Sequence, residues 1–167
     1  MKKHVMNYAV NPEKLVYFPA WAEDIFLQPV TDFSDQHLLD KLPKGFYITF
    51  AGNIGYGQDM ETIVDAVENL KNLKSIHWLF LGYGSKSAWL KHTVDERKLQ
   101  DNVHIIGNRP LETMPMYYQF SNVLLASLKK ERIYALTLPG KIQSYMASSK
   151  PIIAMIDGES ARVIEES

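Results

Sequence analysis

Short apolar runs separated by longer mixed stretches set the pattern of this chain. Residues 46–51 (Phe-Tyr-Ile-Thr-Phe-Ala), 76–81 (Ile-His-Trp-Leu-Phe-Leu), 103–106, 122–126 and 151–155 are apolar almost throughout and flanked by Gly, Asn, Pro or Ser. Runs of this length without strict alternation predict strands covered on both faces. Between them the period becomes helical. From 59 to about 73, Ile63, Val64, Val67 and Leu70 share a face, and in the helix ending near 99 Trp89, Leu90, Val94 and Leu99 are the apolar positions. Residues 111–120 predict a short helix, and 160–166 start another. The stretch 136–154 joins a loop, a helix and a strand. Pro139 suits the helix start, Ile142, Tyr145 and Met146 share a face, and Pro151 pushes Lys150 out of the helical region.

Strands alternating with helices predict an α/β fold, a Rossmann-like three-layer αβα sandwich around a mostly parallel sheet. Right-handed crossovers then bring the loops at 52–57, 82–85, 107–110 and 127–141 to one sheet edge, where ligands of such sheets bind. Residues 1–29 read as irregular, with a short strand at 14–19 and a turn at 18–23, and 30–44 as polar with one short helix at Leu38, Leu39 and Leu42. Trp21, Trp78 and Trp89 are expected to pack.

At 167 residues the length prior gives one domain. A net charge of −1 offers no cationic excess for nucleic acid, and the absence of cysteine excludes disulfides and thiol chemistry. No apolar run is long enough to span a bilayer, and 1–4 do not open a signal peptide. A reducing, cytoplasmic setting is the expectation. The five histidines show no metal spacing, and His77 and His104 read as packing residues inside strands, with His4, His37 and His92 exposed.

Candidate chemistry gathers on the loops. A helix opening after a small-residue loop offers free N–H groups and a positive dipole end, so Thr137, the loop amides and Lys141 would surround a point suited to an anion. Gly52-Asn53-Ile54-Gly55 could admit a diphosphate close to the backbone, or be a plain turn. The loop 82–85 lacks the third glycine of a dinucleotide fingerprint, and no acidic residue closes the next strand, so it is a poor nicotinamide site. Arg109 reads either as a plane for stacking on a base or as a solvated charge. Lys86, Lys91, Lys129 and Lys130 read as solvated.

Thr137, Pro139, Lys141, Tyr145-Met146-Ala147 and the run 150–154 (Lys-Pro-Ile-Ile-Ala) resemble the donor-binding segment of family 4 glycosyltransferases of GT-B architecture, in particular sugar transferases of bacterial capsule and O-antigen assembly. Phe50-Ala51-Gly52-Asn53-Ile54-Gly55 with Gln58 resembles the opening of their C-terminal domain. Residues 79–84, 102–110 and 157–159 fit in order and spacing, and the resemblance runs from about Val16 to the end. It implies that 1–29 lead in from an N-terminal acceptor domain outside this chain, and that 30–167 are a nucleotide-sugar donor-binding domain truncated at its C-terminal end.

The function it implies is retaining transfer of a sugar from a nucleotide diphosphate donor, with uridine the expected base, to a glycan or polyprenyl-linked acceptor. The sugar nucleotide is substrate, no cofactor or metal is expected, and the parent protein could associate with the inner face of the membrane. Lys141 would hold the phosphate, with Thr137 and Gly140 giving loop contacts. Gly52, Asn53, Gly55, Gln58 and Gly84 would line the donor, and Asn108 and Arg109 would meet the base. The chain departs from the family at three places. Neutral Asn53 and Gln58 stand where many members carry Arg and Lys, Ser149 replaces the usual Gly, and Leu136 and Ser144 replace the two carboxylates of a Glu-x7-Glu pair. Ser144 would then bond the ribose more weakly. No catalytic residue is identified, and the chain alone is expected to be inactive. A GT-B sugar-nucleotide epimerase and a non-catalytic binding or interaction domain with a degenerate site stay open as alternatives.

Overall fold

The computed structural model describes residues 6–8, 11–16, 18 and 21–167. Five parallel strands form one sheet: β1 (Phe46–Ala51), β2 (Ile76–Leu81), β3 (Val103–Gly107), β4 (Val123–Ser127) and β5 (Ile152–Met155), in the order β3-β2-β1-β4-β5. The helices are α1 (Gln36–Leu39), α2 (Met60–Leu70), α3 (Ser87–Glu96), α4 (Met114–Phe120), α5 (Arg132–Ala135), α6 (Gly140–Ala147) and α7 (Glu159–Glu165).

Both faces of the sheet are covered, which is why the central strands carry no polar alternation. Ile48, Phe50, Trp78, Phe80, Val123 and Leu125 turn one way, onto Ile63, Val64 and Val67 of α2 and Leu90 and Val94 of α3. Tyr47, Ala51, Leu79, Leu81, Leu124 and Ala126 turn the other way, onto Met116, Tyr117 and Tyr118 of α4 and Ile142 and Tyr145 of α6. Phe26 is 7% exposed and stacks on Tyr118 at 5.3 Å, so part of the lead-in segment belongs to this second core.

The expected strand at 14–19 is not formed over its described part. Pro12–Lys14 make a 3₁₀ turn, capped by the Asn11 side chain, and Val16 and Phe18 are 83% and 76% exposed; 17 and 19 lie outside the described residues, as do 20 within the expected turn and His4. Trp21 does not pack into the core: it is 66% exposed and meets Phe18 edge-on. The 127–136 loop contains α5, too short to show a period. Among the described residues no helix is long and apolar enough to cross a membrane.

Candidate functional site

The strand order reverses between β1 and β4, the position at which sheets of this kind bind ligands beyond the C-terminal strand ends. The ladder there is short, with register pairs Ile48–Val123 and Thr49–Leu124. Ala51 lies beyond those pairs, and its polar groups go to a side chain. The buried Tyr145 hydroxyl accepts from the Ala51 N–H at 2.8 Å and donates to the Ala51 carbonyl at 3.1 Å. That contact ties α6 to the end of β1. Ser127 at the end of β4 donates to the Gln58 carbonyl at 2.6 Å, tying the other wall to the loop after β1.

Lys141, in the first turn of α6, lies at the C-terminal end of β1. Its Nζ donates to Gln58 Oε1 at 2.7 Å and stands 3.8 Å from the centre of the Phe50 ring. A Cβ at Gly52, whose φ is +130°, would come within 3.3 Å of Lys141 Cε. Among the described residues no carboxylate pairs with the ammonium, and burial pulls its pKa down from 10.5 to about 7. A lysine has three donors, and Gln58 takes one. The Phe50 face and the glutamine carbonyl favour the charged form, and a bound anion would favour it further.

Beside this point a cavity of about 320 Å³ is lined by Gly52, Asn53, Gly82, Tyr83, Asn108 and Arg109, among others. Three strand ends meet there through their backbones. Ile54 donates to the Tyr83 carbonyl at 3.2 Å and Gly82 to the Gly107 carbonyl at 2.8 Å. Gly82 has φ +118°, and a Cβ on it would lie 1.9 Å from the Gly52 carbonyl oxygen, so no larger residue fits. Gly84 is held as tightly, against Asn53 Oδ1 and the Ile54 carbonyl.

Arg109 is not a solvated charge. Its Nη2 donates to the Ile106 carbonyl at 3.2 Å, and its Nε lies 3.6 Å from Asp35 Oδ2, which also accepts from the Tyr117 hydroxyl at 2.9 Å. Lys86 pairs with Glu61 and lies 4.5 Å from the Trp89 ring centre, and Lys129 sits 3.4 Å over Tyr56, so these two lysines also differ from the solvated reading. Lys130 is exposed and loosely paired with Asp157 at 3.7 Å, beside a second cavity of about 320 Å³ at the ends of β4 and β5.

Other expected site residues point elsewhere. The Thr137 hydroxyl donates to the Ile133 carbonyl at 2.8 Å, and its carbonyl accepts from Ser160, so the side chain closes α5 and the backbone anchors α7. Ser144 is 5% exposed, and its hydroxyl donates to the Lys141 carbonyl at 3.0 Å. Gly140 is exposed at the start of α6 and has open space where a Cβ would stand. Gly55 is buried against the Asn53 amide. Asp35, Tyr117 and the polar end of Tyr145 escape a reading of the sequence. The tyrosines sit at apolar helical positions, and Asp35 is one carboxylate in a polar stretch with no motif around it. Among the described residues no cluster of three or more His, Asp or Glu could hold a metal ion.

The fold defines the class: a Rossmann-like α/β domain of the kind found in GT-B glycosyltransferases. The chain belongs to the family of glycosyl transferases group 1, whose model matches residues 45–167. It is 29% identical to WbjE of Pseudomonas aeruginosa, named as a glycosyltransferase, over 97% of this chain and 41% of that protein. It is 25% identical to WcaI of Escherichia coli K12, named as a colanic acid biosynthesis glycosyl transferase, over 88% of this chain and 37% of that protein. The chain therefore spans about two fifths of the length of these curated relatives. The crystal structure of Anabaena Alr3699/HepE in complex with UDP-glucose superposes with a TM-score of 0.71 at 15% identity, covering 98% of this chain and 44% of that one. That likeness shows the fold.

Proposed function

We propose that this chain binds the nucleotide diphosphate of a sugar donor, with uridine as the base, and serves a retaining glycosyltransferase that extends a glycan or polyprenyl-linked acceptor in polysaccharide biosynthesis. One observation carries the reading: a half-buried lysine, without a carboxylate partner among the described residues, stands at the strand-order reversal, beside Gly52 and in the first turn of a helix. Such a lysine has a use for an anion, and a diphosphate beside Gly52 would supply one. The neighbouring cavity has room for a nucleoside, with Asn108 and Arg109 on its wall. Family membership and the names of WbjE and WcaI support a sugar transferase, and the UDP-glucose complex of HepE supports the donor class.

Lys141 would hold the phosphate, Gly52 and Gly140 would let it approach the backbone, and Asn53 and Gln58 would add neutral hydrogen bonds. As the diphosphate leaves, the ammonium and the helix start would carry its growing charge, which needs no metal. Titration of the chain with UDP and uridine tests this. Lys141→Ala removes a hydrogen bond from a charged group, so UDP affinity is expected to fall roughly ten- to a hundredfold. Uridine should bind both forms alike. Equal UDP affinity for the two would leave Lys141 as a merely packed lysine and remove the reading's main support.

The inward turn of Ser144 and the replacement of a carboxylate by Leu136 favour a second reading, a domain that binds the nucleotide without taking part in transfer. Turnover of UDP-glucose by a longer protein containing this chain would exclude it.

A further inference from the structure

We propose that Asp35 is a positioning residue for the base subsite: its carboxylate holds the Arg109 guanidinium in place as one wall of the cavity, to receive the face of a planar nucleobase. This rests on the donor reading above and adds to it a residue outside the span 45–167 that the family model matches.

The Asp35 side chain is 14% exposed and that of Arg109 30%. Removing a carboxylate from water is costly unless partners replace the water. Asp35 has two, and both belong to elements that frame the cavity. The Tyr117 hydroxyl, on the fully buried Tyr117 of α4, donates to Oδ2 at 2.9 Å and fixes where the carboxylate stands. Arg109 Nε lies 3.6 Å from the same oxygen, an ion pair too long for a hydrogen bond, and that N–H is buried with no other acceptor. The far side of the guanidinium is fixed by the Ile106 carbonyl at 3.2 Å. Burial first, then Asp35, keep the Tyr117 hydroxyl protonated well above the ordinary phenol range, so it remains a donor to the carboxylate. A guanidinium held at two edges still has its flat faces, which stack on planar rings as a lysine cannot. Tyr83, 74% exposed, lines the same cavity and offers a second aromatic surface.

The test is calorimetric titration of the chain with uridine and with UDP. Asp35→Asn is expected to weaken both ligands by the same factor, roughly three- to tenfold, and Asp35→Glu should restore affinity. In an Arg109→Ala background Asp35→Asn should add no further loss, because the residue acts through the guanidinium. A purely structural role would cost as much in either background. Tyr117→Phe removes the hydroxyl that seats the carboxylate but keeps its charge beside Arg109, and should weaken uridine less than Asp35→Asn does. Parental uridine affinity in Asp35→Asn, an undiminished loss in the Arg109→Ala background, or an equal loss in Tyr117→Phe would each overturn the proposal while leaving the donor reading intact. If the parent chain bound neither UDP nor uridine, the donor reading would fail and this inference with it.

Discussion

Lys141 makes stability depend on pH through a single side chain. Its pKa is drawn down from 10.5 to about 7 by burial, so the folded chain holds its proton less firmly than the unfolded one. The burial penalty is complete below about pH 7 and is relieved as pH rises toward the ordinary lysine value. Lys141→Met should therefore be more stable than the parent at pH 6 in urea unfolding, with the gap closing by pH 10. If Lys141 holds the diphosphate as proposed, UDP affinity should fall roughly tenfold between pH 7 and 9 in the parent and stay flat in Lys141→Ala. Four residues along the same helix, Tyr145 does structural work of a different kind. Its hydroxyl serves both polar groups of Ala51 where β1 and β4 part. Tyr145→Phe leaves those groups buried without a partner and should cost about 1–3 kcal/mol in denaturant unfolding.

At the level of elements, the loops after β1, β2 and β3 depend on each other. Gly82→Ala would drive a methyl into the Gly52 carbonyl, whereas Gly107, at φ +83°, has open space around it. Both substitutions carry the strain of a positive φ, about 1 kcal/mol or more, but only the first adds a collision with backbone. Thermal unfolding should show a clearly larger loss for Gly82→Ala, and UDP affinity should fall with it. Within β2 and β3, His77 and His104 meet at 3.2 Å, beneath Tyr47 stacked on His77. Burial, then the neighbouring His77, lower the pKa of His104 from 6.5 to about 4. The folded state thus resists protonation there, and stability present above pH 6.5 should be lost progressively as pH falls toward 4. His104→Gln, which takes no proton in this range, should flatten that part of the stability profile. A parental slope in the variant would assign the acid loss to other groups.

At the scale of the whole molecule, the lead-in segment contrasts with the two filled cores among the described residues. Val16, Phe18 and Trp21 are 83%, 76% and 66% exposed, while Trp78 is 6% exposed. Phe18 and Trp21 lie edge-on to each other with ring centres 5.2 Å apart, so the indole sits in the open against one other ring and not in a core. Acrylamide should therefore quench a distinct fraction of the tryptophan emission of this chain, and Trp21→Phe should remove that fraction. If quenching were uniform and insensitive to the substitution, Trp21 would be packed in solution.

The sequence by itself determined the five strands, their parallel α/β class and the loops that share the ligand edge. Those features follow from period and punctuation, which are local: runs apolar on both faces must be covered on both faces, and a strand end before a helix must turn. The 136–154 stretch also carried the family resemblance, through residues adjacent in the chain. Only the tertiary structure decided which polar atoms meet. Lys141 finds the Phe50 ring and the Gln58 carbonyl, Arg109 finds Asp35, and Tyr145 finds Ala51, each across a long reach of sequence that no local pattern records. Thr137 and Ser144 show the converse. Sequence order places both beside the expected donor, yet each hydroxyl is taken by a carbonyl a turn away, because a hydroxyl beside a helix readily bonds the backbone of the preceding turn. Position along the chain fixed which loops share the sheet edge. Burial and the competition for hydrogen bonds fixed which of their side chains are tied to the fold and which are free.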